Sequence, residues 1–170
     1  MNAERARPES VASPVVDVTV AAGSWPPAEA LELLAERSIG AALAIGASVP
    51  AGSEVSILFT DDAAIRTLNA RWRGKDMPTN VLSFPQEKAP LLGDIVLAAE
   101  TISGEAALAQ KPLNEHIAHL IVHGFFHLLG HDHENPDEAE RMEALERAAL
   151  ETMGIDDPYR APATDSWATN

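Results

Sequence analysis

Between Pro112 and Gly130 the chain reads as one helix whose second half, Ile117 to Leu129, is apolar on nearly every side. A helix of that kind sits at the centre of a domain, so the rest of the chain must wrap it. Yet the same helix carries His116, His119, His123 and His127. At about 100° per residue these four project within one narrow face. All six histidines of the chain fall between His116 and His133. Apolar surroundings penalise the charged imidazole and favour the neutral form, which is the form that binds metals.

The flanking sequence supplies the wrapping. Val15 to Val20 alternates apolar and polar residues as a half-buried strand does. Pro26 and Pro27 open a helix reaching about Gly46, with Leu31, Leu34, Ala35, Ile39, Ala42 and Leu43 on its apolar face. Glu54 to Thr60 is a second strand. Thr60 is placed to cap the next helix, Asp61 and Asp62 suit its dipole, and Ile65, Leu68 and Trp72 form its buried stripe. A polar loop, Arg73 to Thr79, leads to strands at Asn80–Phe84 and Leu92–Ala98, and Glu100 to about Gln110 is weakly helical. Asn135 and Pro136 are an N-cap and N1 pair for a last helix, which turns Met142, Leu145, Ala149 and Met153 inward and ends at Gly154. The expected fold is α+β: a small mixed β-sheet of about four strands packed around a central metal-bearing helix. Residues 14–155 form the expected single domain, between tails at 1–13 and 156–170.

Composition removes several alternatives. The chain has 170 residues and no cysteine, so disulfide scaffolds, thiolate zinc fingers, iron–sulfur clusters and cysteine nucleophiles are excluded. No secretory signal is readable at the start, and no apolar run reaches the roughly 18 residues that span a bilayer. A soluble, cytoplasmic protein without membrane partners is expected. The net charge of −14 argues against gripping nucleic acid through overall charge. The distribution matters more. From Asp132 onward there are 11 acids against 3 bases, whereas Arg66, Arg71, Arg73 and Lys75 form a basic run with no acid among them.

Spacing sharpens the metal reading. His123 and His127 are one turn apart, so both rings can reach one ion. A straight helix cannot supply a third ligand at a good angle much further on. Gly130 allows the chain to turn, so that His131 or His133 swings back. The outline HxxxHxxGxxH is similar to the metal-ligand frame of the metzincin proteases, with Gly124 where those have Glu. Three neutral imidazoles leave an open coordination position, as catalytic zinc sites do, and nitrogen-only ligation suits Zn²⁺ and less specifically Ni²⁺, Cu²⁺ or Co²⁺. One zinc ion per chain is expected. Asp132 is placed to orient a histidine or to cap the turn. The missing Glu is the base that takes a proton from zinc-bound water in peptidases. Glu115, the nearest preceding acid, lies roughly 12 Å away along the axis. An RNA phosphodiester carries its own nucleophile, the 2′-OH, and asks the protein only to hold the phosphate and stabilise charge.

Two blocks resemble the YbeY-type rRNA maturation endoribonucleases. One runs from Leu68 through Arg71, Trp72, Arg73, Gly74, Lys75, Asp76, Thr79 and Asn80 to Pro85, followed by Leu92 to Ile95. The other runs from His123 to His133, with the acidic helix and Asp157-Pro158-Tyr159 after it. The resemblance implies a zinc ion held by His123, His127 and His133, and a positively charged cleft with Arg73 as its functional arginine. It further implies single-strand-specific cleavage in maturing the 3′ end of 16S rRNA, a part in ribosome quality control, and contact with the ribosomal subunit or its proteins. Trp72 and His131 stand where the family more often has Tyr.

Arg73 has its own argument. It sits where a helix hands over to a loop, and a guanidinium can clamp a phosphate with two parallel hydrogen bonds. Arg71 and Lys75 are weaker candidates for substrate binding, and Arg66 reads as a solvated face. Asp76, Thr79 and Asn80 are expected to organise the loop. Two other readings stand beside the ribonuclease: a zinc-dependent peptidase-like hydrolase, against which Gly124 speaks, and a ribosome-associated factor with a structural metal.

Overall fold

The computed structural model describes residues 12–160. Its elements run β1 (Val15–Val20), α1 (Ala28–Ala44), β2 (Glu54–Thr60), α2 (Asp62–Arg73), β3 (Val81–Pro85), β4 (Leu91–Ala98), α3 (Ala99–Leu108), α4 (Leu113–Leu128) and α5 (Pro136–Thr152). The four strands form one sheet in the order β1-β2-β4-β3. β1 pairs parallel with β2 and β2 parallel with β4, while β3 runs antiparallel to β4. The fold is therefore α+β with a mixed sheet, as expected. β1, α1 and β2 form a parallel crossover unit, which helix propensity and strand alternation do not reveal by themselves.

α4 is the hub: it touches α1, α3, α5, β3 and β4. Ile117, Ile121, Val122 and Phe125 are fully buried along it. They pack with Leu31, Ala35 and Ile39 of α1, Val55, Ile57 and Phe59 of β2, and Met142, Ala149 and Leu150 of α5 in one core. The alternation of β2 and β4 sends Leu58 and Val96 to the opposite face, where they meet Ile65 and Leu68 of α2 in a smaller cluster.

Two local details differ from the sequence reading. Asp61, not Thr60, caps α2, its carboxylate accepting from the Ala64 N–H at 2.9 Å. Trp72 leaves the expected stripe. It is 62% exposed at the last turn of α2 and meets Phe84 edge-on at 6.3 Å. The cap of α5 is as read: Asn135 Oδ1 accepts from the Glu138 N–H, with Pro136 following. The stretch expected to be a tail from Asp156 is held to the body over its first five residues, by Lys111 Nζ donating to the Pro158 carbonyl at 3.0 Å and by Arg147 against Asp157 at 3.1 Å. The rest of that tail, and most of the tail expected at 1–13, lie outside the described residues.

Candidate metal centre

α4 presents His123 and His127 one turn apart, their rings edge to face at 4.6 Å. The helix then stops in a Schellman arrangement. Gly130 takes φ +96°, its N–H bonds to the His127 carbonyl, and the His131 N–H reaches back to the Phe126 carbonyl. Asp132 Oδ1 accepts from the His133 N–H at 2.8 Å and fixes the next bend, so Asp132 is the turn's cap. The result brings the His133 ring to 5.0 Å from His127 and 5.6 Å from His123. Each of the three offers one ring nitrogen, all within 4.8 Å of one another. His131 turns instead onto Phe126, ring centroids 5.6 Å apart. Of the two sequence candidates, His133 is the one placed with the pair.

The hydrogen bonds behind these rings test the fit to a metal. His123 Nδ1 lies 2.9 Å from the carboxylate of Glu146, and His127 Nδ1 lies 2.9 Å from the His131 carbonyl. Both partners only accept, so both Nδ1 atoms carry the proton. With both rings neutral, each Nε2 presents a lone pair, and the two atoms face each other at 3.1 Å. Two lone pairs at that distance repel unless an electron-pair acceptor joins them. The donor set therefore fits a cation such as zinc, with the outer nitrogen of each ring anchored as ligating histidines require. Burial, and then the neighbouring His123 and His133, lower the pKa of His127, which keeps its ring neutral.

The remaining histidines of the stripe do other work. His119 Nε2 bonds to Glu146 Oε1 at 3.0 Å. His116 is buried, with neither ring nitrogen hydrogen-bonded and Glu105 Oε2 3.4 Å away.

Arg73 lines the same cleft as His123, His127 and His133, a space of about 310 Å³ completed by Thr79, Asn80, Val81, Leu82, Ser83 and Asp132. It is the last residue of α2, and Gly74 ends the helix in the left-handed region at φ 70°. Asn69, buried in α2, donates to the Met77 carbonyl at 2.8 Å and holds the loop. Sequence reasoning passed over Asn69, and only its position on the inward face of α2 could have flagged it. Asp76 pairs with Arg66 at 2.8 Å, which takes Arg66 out of the basic run. Asn80 bonds to Glu105 and to its own strand. Arg71 stacks over Trp72 at 5.2 Å, and neither it nor Lys75 lines the cleft.

The position of the absent peptidase base has a steric cause. Gly124 faces the sheet, and a Cβ there would stand 2.9 Å from Ile95 Cγ2 and 3.1 Å from Ser83 Oγ. Helix and sheet approach so closely here that even a Cβ would force Ile95 to shift.

Two residues to which the sequence reading gave no role complete the site. Glu146 of α5 is fully buried. Burial would raise its pKa, but hydrogen bonds from His119 and His123 outweigh this and hold it down at about 2. Tyr159 donates to the same carboxylate, 3.0 Å from Oε1 and 2.9 Å from Oε2. Burial, and then the charge of Glu146, push the phenol pKa up. The available signal was an acid on an apolar stripe: Glu146 lies four residues after Met142 and three before Ala149.

Comparison with known proteins identifies the family of the chain. The family model described as endoribonuclease YbeY matches residues 27–154. An endoribonuclease YbeY of Methylocella silvestris is 51% identical over 154 residues, 88% of each chain. One of Rhizobium meliloti is 48% identical over 85% of this chain and 94% of its own. A Thermotoga maritima protein known from its solution structure shares the fold, with a TM-score of 0.54 at 20% identity over 86% of this chain and 100% of that one.

Proposed function

This chain belongs to the endoribonuclease YbeY family, and on that premise we propose that it is a zinc-dependent, single-strand-specific endoribonuclease. In this reading it matures the 3′ end of 16S rRNA and takes part in ribosome quality control. Residues 14–155 act as one metal-dependent hydrolase domain, in the cytoplasm, on precursor rRNA presented with the ribosomal subunit or its proteins. Among the described residues no helix is long and apolar enough to cross a membrane.

The observation that carries the proposal is the pair of bare Nε2 atoms of His123 and His127 at 3.1 Å, with His133 beside them and Arg73 in the same cleft. His123, His127 and His133 would hold one zinc ion. Bound there, zinc supplies a Lewis acid for the phosphoryl oxygens. The chain's own groups do the rest. Arg73 holds the non-bridging phosphate oxygens through its planar fork and opposes the negative charge that grows on them. Glu146 and the His131 carbonyl keep the protons of His123 and His127 on Nδ1, away from the cleft. Arg71 and Lys75, exposed and two residues either side of Arg73 in the chain, attract the flanking phosphates. Gly124 speaks against a peptidase, because the base such an enzyme uses is absent there.

The test is single-turnover cleavage of a precursor small-subunit rRNA fragment by zinc-loaded protein, with His123→Ala as control. Site-specific cleavage lost in the control is expected. Equal cleavage by both proteins would overturn the proposal.

A further inference from the structure

We infer that Glu146 is a positioning residue for the metal centre, and that Tyr159 makes metal affinity depend on how the segment 156–160 is docked. The inference rests on the metal reading above. Glu146 Oε1 collects three contacts: His123 Nδ1 at 2.9 Å, His119 Nε2 at 3.0 Å and the Tyr159 hydroxyl at 3.0 Å.

A buried carboxylate is costly, and an apolar residue of similar size at this point of α5 would pack without that cost. What the carboxylate provides is orientation and charge. It accepts from His123 Nδ1, so the Nε2 lone pair points into the cleft. It also places a negative charge behind a ring that would carry a dication on its far side. His119 and Tyr159 fix the carboxylate rotamer from two directions. Their rings meet edge-on at 5.4 Å, so the three groups form one packed unit.

Tyr159 comes from outside the regular elements. Its segment is tied down by the Asp157 side chain, which accepts from the Tyr159 N–H at 2.9 Å and pairs with Arg147 at 3.1 Å. Tyr159 as a residue is 39% exposed, and its hydroxyl reaches inward to Glu146. Docking of this segment and metal binding at His123 therefore act on the same carboxylate. Two events that each favour one arrangement of a shared group favour each other, and the coupling is reciprocal. A stronger hold by Tyr159 raises metal affinity, and bound metal tightens the segment.

The experiment measures zinc dissociation constants by chelator competition for the full chain and for Tyr159→Phe and Glu146→Gln, together with amide exchange at Tyr159 and Arg160 with and without zinc. Ligand-orienting partners are typically worth about 10- to 100-fold in metal affinity. Tyr159→Phe is expected near the lower end and Glu146→Gln near the upper. Zinc should slow exchange at residues 159 and 160 in the wild type, and this protection should be lost in Tyr159→Phe. That loss is something a merely structural tyrosine would not produce. Wild-type zinc affinity in Tyr159→Phe, or exchange at 159 and 160 that ignores zinc, overturns the inference. If Glu146→Gln fails to fold, the Tyr159→Phe pair of measurements decides alone. A wild-type protein that takes up no zinc would instead overturn the metal reading beneath it.

Discussion

Ser83 of β3 reaches out of the sheet and donates its hydroxyl to the Gly124 carbonyl of α4 at 3.2 Å. This bond joins the strand that walls the cleft to the turn of helix between two of the candidate ligands. It is possible because Gly124 has no side chain. A Cβ would press on Ile95 Cγ2, a stiff branched side chain in a central strand. Gly124→Ala gains roughly 1 kcal/mol of helix propensity. It loses about 1–3 kcal/mol to overpacking. A lower denaturant midpoint is expected, and Gly124→Glu should fall further without gaining peptidase activity. A stable Gly124→Glu protein that cleaves casein would show that the helix can move off the sheet.

The ligand set is testable one residue at a time. His123→Ala, His127→Ala and His133→Ala should each lose most bound zinc, because two imidazoles hold an ion far more weakly than three. His131→Ala should keep it, since the contribution of His131 is a backbone carbonyl that alanine also provides. Metal analysis of protein purified without chelator reads the result. Full occupancy in His133→Ala would return the third position to His131.

Arg73→Ala should reduce the single-turnover cleavage rate by about 10²–10³-fold, the usual effect of removing one donor that opposes transition-state charge. Zinc content and fold should be unchanged, because Arg73 is exposed. Arg73→Lys should recover part of the rate, keeping the charge without the fork. Arg66→Ala should leave the rate near wild type, since Arg66 is paired with Asp76. A wild-type rate in Arg73→Ala would remove Arg73 from the chemistry.

The pH dependence of the apo protein should bear the mark of His116. Burial lowers its pKa below 6.5. Glu105 of α3 opposes that shift, while His119 and Lys111 add to it. The unfolded chain therefore takes up this proton first as pH falls, and stability present above pH 6.5 is lost as pH drops through the folded-state value. His116→Leu should flatten this part of the profile. Urea midpoints at pH 8 and pH 5.5 measure it, and equal slopes in the two proteins would show that the proton is carried elsewhere.

Much of this site is legible in the chain itself. His123, His127 and Gly130 are close in sequence, and helix periodicity plus one glycine turn bring their groups together. The apolar stripe that buries α4, the Asn135–Pro136 cap and the α+β class are also local patterns, set by periods and end residues. The choice of His133 over His131 is itself local, made by the Schellman turn and the Asp132 cap. The tertiary structure decided what depends on distant segments. It brought Arg73, at the end of α2 and some 50 residues before the histidines, into the cleft they line. It exposed Trp72, because α2 covers only part of that face. It brought Glu146 and Tyr159 behind His123 from α5 and the segment beyond it. A single acid on an apolar stripe is ambiguous in sequence, since its worth comes from three donors contributed by other parts of the chain. Local periodicity fixes which face a side chain takes; only packing fixes what meets it there.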